Sequence, residues 1–189
     1  MRSHVLIPLI ALTVVAQSCC CCTMFGGPQP PHTITPSNEA VQRFRERWAT
    51  EVGEGIDGFF TITVTDEEMT SLVTQMLAQQ EDLPPISDPQ VHFRNGRIEV
   101  YATVTVADSL PLPGLVAFSA TATGDGINVT LEEVAFGPLP IPEPVLETMT
   151  ETLNESLSQS ILVEIGEATI TDIQIGTGEM TLSGQIRPE

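Results

Sequence analysis

The sequence predicts an α+β domain in which a single curled antiparallel sheet packs on or around two main amphipathic helices. Three observations carry this. Segments with period-two alternation recur between turn signals, as in half-buried strands. Two longer stretches instead repeat apolar residues at helical spacing, the stripe of a helix with one buried face. The inferred order, α-β-α-β-β-β-β-α-β-β, sets strand after strand, which favours antiparallel pairing over parallel crossovers.

Ahead of this domain lies a segment of different character. Met1-Arg2-Ser3-His4 is a short basic start, and residues 5–16 are apolar apart from Pro8 and Thr13. That is signal-peptide length and short of the ~20 residues a membrane span needs. Ala16-Gln17-Ser18-Cys19 follows, then Cys20, Cys21 and Cys22. Small residues three and one before the cut, with Cys next, suit a lipoprotein signal with diacylglyceryl transfer to Cys19, or alternatively Cys20. Residues 1–22 are thus read as a lipoprotein signal and Cys-rich anchor, with an uncleaved apolar anchor, a palmitoylated or disulfide-linked cluster, and simple secretion as competing readings. All four cysteines lie here, so they form no folding framework. Residues 23–36, with Pro28, Pro30, Pro31 and Pro36, read as a stiff linker. The expected location is extracytoplasmic, anchored to the cell membrane.

The remaining stretch, 37–189, is long enough for one domain with a real core. Its elements follow in order. Thr35-Pro36 reads as a helix start, with Val41, Phe44 and Trp48 on one face and Gly53 at the end. From Phe59 to Thr65, Phe60, Ile62 and Val64 alternate with threonines. Thr65-Asp66-Glu67-Glu68 is a capping box, opening a helix with Met69, Leu72, Val73, Met76 and Leu77 along one stripe. A strand meander begins at Gln90. Val91 and Phe93 are expected inward, with His92 outward and solvated. Asn95-Gly96 signals a type I′ hairpin, and the return strand sets Ile98, Val100 and Ala102 inward against Glu99, Tyr101 and Thr103 outward. A second pair carries Val116, Phe118, Ala120 and Ala122, a turn at Gly124-Asp125-Gly126, then Ile127, Val129 and Leu131. Two Leu-Pro loops are expected at 110–115 and 137–142, the latter leading into a helix over 144–162. Two strands, about 168–175 and 179–186, close the domain, with a bulge expected between Ile170 and Ile173.

Charge excludes several functions. There are 25 acidic residues against seven basic ones, all Arg, for a net charge of −18. Nucleic-acid binding, which rests on neutralising phosphates, is excluded on this ground. Without lysine there is no P-loop, Schiff base or Ser-Lys dyad. Three histidines, of which only His92 lies within the domain, leave too few for a His-rich metal site. The acids at Asp66–Glu68 are accounted for by capping. No metal or cofactor is expected. G-x-S-x-G, H-E-x-x-H and paired C-x-x-C motifs are absent, and the reading is non-enzymatic. Asn128-Val129-Thr130 and Asn154-Glu155-Ser156 are glycosylation acceptors only in a host that glycosylates.

Three features together carry a resemblance: Phe60-Thr61-Ile62-Thr63-Val64-Thr65 feeding a helix at Asp66-Glu67-Glu68-Met69, the Phe93-Arg94-Asn95-Gly96-Arg97-Ile98 hairpin, and Gly137-Pro138-Leu139-Pro140-Ile141-Pro142 before the later helix. The layout over about 57–187 resembles a tubular lipid-binding (TULIP-like) half-domain and is similar to the YpmS-like and YceB-like extracytoplasmic bacterial families. The resemblance implies a sheet curled about a long helix, with an apolar groove that takes an acyl chain. Leu110, Leu112, Leu115, Leu139 and Ile141, apolar side chains on Pro-stiffened connections, are expected at the groove mouth or against the bilayer. The function expected is binding or shuttling of a lipid or other apolar ligand. The alternative is an interaction lipoprotein that contacts an envelope protein and holds no small ligand, and the third reading is a phospholipase-like enzyme.

The anchor is testable directly. Cys19→Ser is expected to move the protein from the detergent-rich to the aqueous phase in a detergent phase separation. Unchanged partition would put the anchor at Cys20 or in an uncleaved apolar segment.

Overall fold

Thr65 ends one strand and starts one helix, and much of the architecture follows from that junction. Its hydroxyl accepts the Glu68 N–H at 3.3 Å, and the Glu68 carboxylate accepts the Thr65 N–H at 3.1 Å, completing the capping box. The computed structural model describes residues 26–53, 58–79, 86–106, 110–123, 126–137, 139–140, 143, 147, 150–151, 154 and 168–186. Elements in chain order are α1 (Asn38–Gly53), β1 (Phe59–Thr65), α2 (Asp66–Leu77), β2 (Ile86–Arg94), β3 (Arg97–Val106), β4 (Leu110–Thr123), β5 (Gly126–Phe136), β6 (Leu139–Pro140), β7 (Ala168–Ile175) and β8 (Glu179–Ile186). Residues 143, 147, 150, 151 and 154 are helical, and the rest of the helix expected over 144–162 lies outside the described residues, as do Cys19 to Cys22.

The fold is α+β and its strands are antiparallel. The strands divide into two sheets, ordered β1-β8-β7 and β2-β3-β4-β5-β6, where one continuous sheet was expected. A seam joins them. The Gly178 N–H donates to the Phe93 carbonyl at 2.9 Å, and the Asp66 N–H donates to the Gly178 carbonyl at 3.0 Å. The curl therefore passes through Gly178, whose φ of 83° suits a residue without Cβ.

Alternation places the core where the sequence indicated. Phe60, Ile62 and Val64 are buried on β1, and Val64, Val91, Phe93, Ile98 and Met180 form one cluster between the sheets. Phe44, Met69 and Val73 pack against it from α1 and α2. Phe60 lies over Gly184, its cross-strand partner, so a Cβ at 184 would collide with the ring. Asn95 and Gly96 both have positive φ, 53° and 83°, as a type I′ turn requires. The register shift between Ile170 and Asp172 is the expected bulge.

Four expectations are corrected. Helix α1 is capped by Ser37, whose Oγ accepts the Ala40 N–H at 3.1 Å; Thr35 and Pro36 precede the cap. Strand β2 begins at Ile86, with an irregularity between Ser87 and Gln90 where Asp88 takes a φ of 53°. The Pro-rich stretch is docked from Gly27 onward: Ile34 is buried, and its N–H and C=O are both bonded by the Gln90 amide, at 2.6 and 3.1 Å. It thus belongs structurally to the domain. Finally, 110–115 is strand and not loop. Here β4 outruns β5, whose pairing starts at Gly114. Prolines at 111 and 113, two apart, direct both missing N–H groups to the same unpaired side, so they sit in an edge at no cost to the ladder.

Helix side chains close the edges of the larger sheet. On β2, the Thr70 hydroxyl accepts the Val91 N–H (2.9 Å) and donates to the Val91 carbonyl (3.3 Å), while Asp66 Oδ1 accepts the Phe93 N–H (2.8 Å). On β5, Asn154 accepts from the Val129 N–H (2.7 Å) and donates to its carbonyl (2.6 Å), and Thr150 accepts from Leu131 (3.2 Å). Asn154 is thereby engaged as an edge cap. Among the described residues, no helix is long and apolar enough to cross a membrane.

Thr70→Val preserves shape but strips the hydroxyl from a buried site, leaving the Val91 N–H and C=O without their partner. Chemical denaturation is expected to show a loss of about 1–3 kcal/mol with an unchanged slope. A change within about 0.5 kcal/mol, the ordinary surface range, would mean that the α2–β2 contact does not support the sheet.

Candidate functional site

The two sheets meet at Val64 and Phe93, and β7 packs across β4 and β5. There they enclose an apolar cavity of about 490 Å³, within the ~300–1,000 Å³ range of small-molecule sites. The larger sheet contributes Ile98, Val100, Val116, Phe118, Ala120, Ile127, Val129 and Leu131; β7 and β8 contribute Ile173, Met180 and Leu182. Among the described residues, every lining side chain is apolar. Ordinary strand geometry explains the convergence. Cross-strand partners Phe118–Leu131, Ala120–Val129 and Ala122–Ile127 share one face, and one extra residue at Glu132 lets Val134 return to that face opposite Val116. Alanines at 120 and 122 hold back volume where larger residues would fill the space.

Val129 and Leu131, on the outer rim of this cavity, are the two residues whose backbone Asn154 and Thr150 satisfy. The rim therefore presents few bare amide groups to an apolar occupant. The apolar stripe expected along the helix over 144–162, Leu146, Met149, Leu153, Leu157 and Ile161, lies outside the described residues.

Of the five residues expected at the groove mouth, the side chains of Leu112 and Leu115 are described, and neither lines the cavity. Leu115 is buried on the opposite face of the sheet with Tyr101 and Ala117. Leu112 is half-buried opposite Val104, on the same face as Val116 but beyond the cavity. Leu110 pairs with Val106 and Leu139 with Phe136 as strand residues; their side chains, and Ile141 altogether, lie outside the described residues. The lining residues the sequence did single out were those of the alternating strands, read there as core.

The face of the larger sheet turned away from the cavity is not the solvated surface expected. His92, Glu99 and Tyr101 are all buried. Glu99 accepts from Arg97 Nε at 3.0 Å and from the Tyr101 hydroxyl at 3.0 Å, with Arg94 at 3.7 Å. Glu99 pairs across the strands with His92, whose ring stands edge-on to Tyr101. The cover is the docked segment before α1, which the alternation pattern of β2 and β3 cannot reveal. Between this segment and the sheet lies a second cavity of about 500 Å³, lined by Pro28, Ile34, Pro89, Gln90, Tyr101 and Pro113 among others. Its mixed lining makes it a weaker ligand site than the apolar cavity.

Burial, reinforced by the hydrogen bond to Glu99 and its negative charge, pushes the Tyr101 hydroxyl up to about 12. A group whose native pKa is raised stabilises the fold below its unfolded value near 10 and loses that contribution as pH climbs through 12. Tyr101 is the only tyrosine, so tyrosinate absorbance reads it alone. No absorbance change is expected near pH 10, and the rise should come near pH 12 or together with unfolding. A normal transition near 10 in folded protein would contradict the buried Glu99 contact.

No family model matches the sequence, and no curated protein matches it.

Proposed function

We propose that this protein is a membrane-tethered extracytoplasmic lipoprotein that binds or shuttles a lipid or another elongated apolar molecule. The observation that carries the reading is the wholly apolar cavity of about 490 Å³ between the sheets. A groove of this size whose described walls are apolar exposes hydrocarbon surface that an apolar occupant would cover. Each buried methylene of an acyl chain contributes roughly 0.8 kcal/mol on leaving water. Such a cavity offers no hydrogen bond and hence discriminates by shape and length, which fits a carrier of lipid tails. The lipobox-like Ala16-Gln17-Ser18-Cys19 and the tubular lipid-binding resemblance support the same reading.

Ala120→Phe tests this. Ala120 faces the cavity between Phe118 and Val129, and a phenyl ring there occupies the space meant for the ligand. Uptake of a fluorescent long-chain fatty acid by the delipidated protein in mild detergent is expected to fall at least tenfold, with the melting temperature held or raised by the filled void. Equal uptake by a folded Ala120→Phe variant, or no uptake by the wild type, would defeat the proposal.

A further inference from the structure

On the face of β2 turned away from the apolar cavity, three ligand-type side chains converge from three separate parts of the chain. His32 comes from the docked segment before α1, Asp66 from the first turn of α2 and His92 from the middle of β2. Each offers one nitrogen or oxygen, and the three atoms lie within 4.8 Å of one another. His92 is fully buried, yet neither of its ring nitrogens has a hydrogen-bond partner. Its Nδ1 lies 3.7 Å from Asp66 Oδ2, and the His32 ring stands edge-on to it, 4.7 Å between centroids. Buried polar side chains are normally paired, and one that is not calls for an explanation such as an ion.

We propose that His32, Asp66 and His92 bind a divalent transition-metal ion of the zinc class, with a coordination position left open toward solvent. Two imidazoles and one carboxylate suit zinc, iron, nickel or copper ions, whereas magnesium and calcium prefer oxygen-only shells. The donor set is the one that three-ligand zinc sites use, completed by water. Bonds of roughly 2.0–2.1 Å to a tetrahedral ion set ligand atoms about 3.3 Å apart, so the 3.7 Å gap between His92 and Asp66 closes with sub-ångström side-chain movement. His32 is itself exposed, which places the open position at the surface.

The surroundings are built to hold these groups. Asp66 Oδ1 accepts the Phe93 N–H at 2.8 Å, and the Asp66 N–H is held by the Gly178 carbonyl, which leaves Oδ2 directed at His92. Hydrogen bonds of this kind orient metal-binding carboxylates. Two residues beyond His32, Ile34 is clasped by Gln90, so the segment is already positioned when the ion arrives. Metal binding would therefore lock the stretch that connects the N-terminal region to the domain. The proposal does not depend on the lipid reading, since the cavity lies on the other face of the sheet.

The test uses the full chain in detergent, its cysteine thiols first alkylated because Cys19 to Cys22 would themselves bind zinc. After removal of metal by a chelator, titration with Zn²⁺ is expected to show one site per chain and a rise in melting temperature. Co²⁺ is expected to give visible absorption bands of a four- or five-coordinate site with nitrogen and oxygen ligands and no sulfur charge transfer. His32→Ala, at an exposed residue that bears no part of the core, should fold normally and bind Zn²⁺ at least a hundredfold more weakly. Proteolysis within residues 26–36 should slow on adding Zn²⁺ to the wild type but not to His32→Ala. Absence of binding in the wild type, or equal affinity in His32→Ala, would overturn the assignment.

Discussion

An open sheet leaves two rows of backbone N–H and C=O groups unpaired, and each such group, once buried, costs about as much as a lost hydrogen bond. Here the larger sheet meets that constraint with side chains. On β2, Asp66 and Thr70 bond Phe93 and Val91; on β5, Thr150 and Asn154 bond Leu131 and Val129. In both cases residues four apart on a helix address residues two apart on a strand, and the two run in opposite directions. The match is geometric: four helical residues rise about 6 Å and two strand residues about 6.8 Å. Thr70 and Asn154 each satisfy both the donor and the acceptor of one residue, as a neighbouring strand would. The Gln90 amide does the same for Ile34.

This way of closing edges decides where empty space can exist. Thr150 and Asn154 occupy the edge with polar contacts, where a further strand would have continued the sheet. The tight end of the core, around Val64, Phe93 and Met180, is where α1 and α2 add Phe44, Met69 and Val73. Beyond it, Ala120 lies across the cavity from Ile173, Met180 and Leu182 of β7 and β8. The seam at Gly178 and the packing of β7 on β4 and β5 together hold the two sheets against each other.

Local chemistry made the strands, the capping box and the type I′ hairpin legible from residue types alone. Each depends on neighbours within a few positions: Thr65 with Glu68, Asn95 with Gly96, alternation along β1 and β3. What escaped depended on distant chain. Leu110 to Leu115 reads as a loop because proline normally breaks pairing; only the knowledge that β5 stops pairing at Gly114 shows that Pro111 and Pro113 lie on an edge. His92, Glu99 and Tyr101 read as solvated because their strands alternate, and alternation reports that a residue lies on the second face without reporting whether that face is covered. The cover is residues 26–36, a Pro-rich stretch whose composition suggested a spacer. The one local sign of its docking was Ile34, an isolated apolar residue among polar and proline neighbours. The candidate cavity was half visible: its lining was read correctly as an apolar face, but alternation cannot distinguish a filled core from a vacant one.

The charge distribution bears on how such a protein would meet a membrane or a ligand. Of the seven arginines, Arg43, Arg45, Arg47, Arg94 and Arg97 lie in the described residues, and each is turned to a neighbouring acid or amide: Glu67, Gln75, Glu68 and Glu99. Two of these acids, Glu68 and Glu99, are buried, and there arginine is needed to offset the cost of desolvating a carboxylate. The exposed pair Arg43–Glu67 contributes little on its own. Positive charge is thus consumed in holding α1 to α2 and β2 to β3, and the outward field is left to the acidic residues that remain in excess, for a net charge of −18. Such a surface repels anionic headgroups over a Debye length of about 8 Å and gains nothing from phosphate. On the function proposed above, contact with lipid would rest on two sources that charge does not oppose: a covalent anchor ahead of the domain, and burial of hydrocarbon against the apolar described walls of the cavity. The same acidic field raises the local concentration of cations, which favours an ion at His32, Asp66 and His92 as much as it disfavours a polyanionic partner.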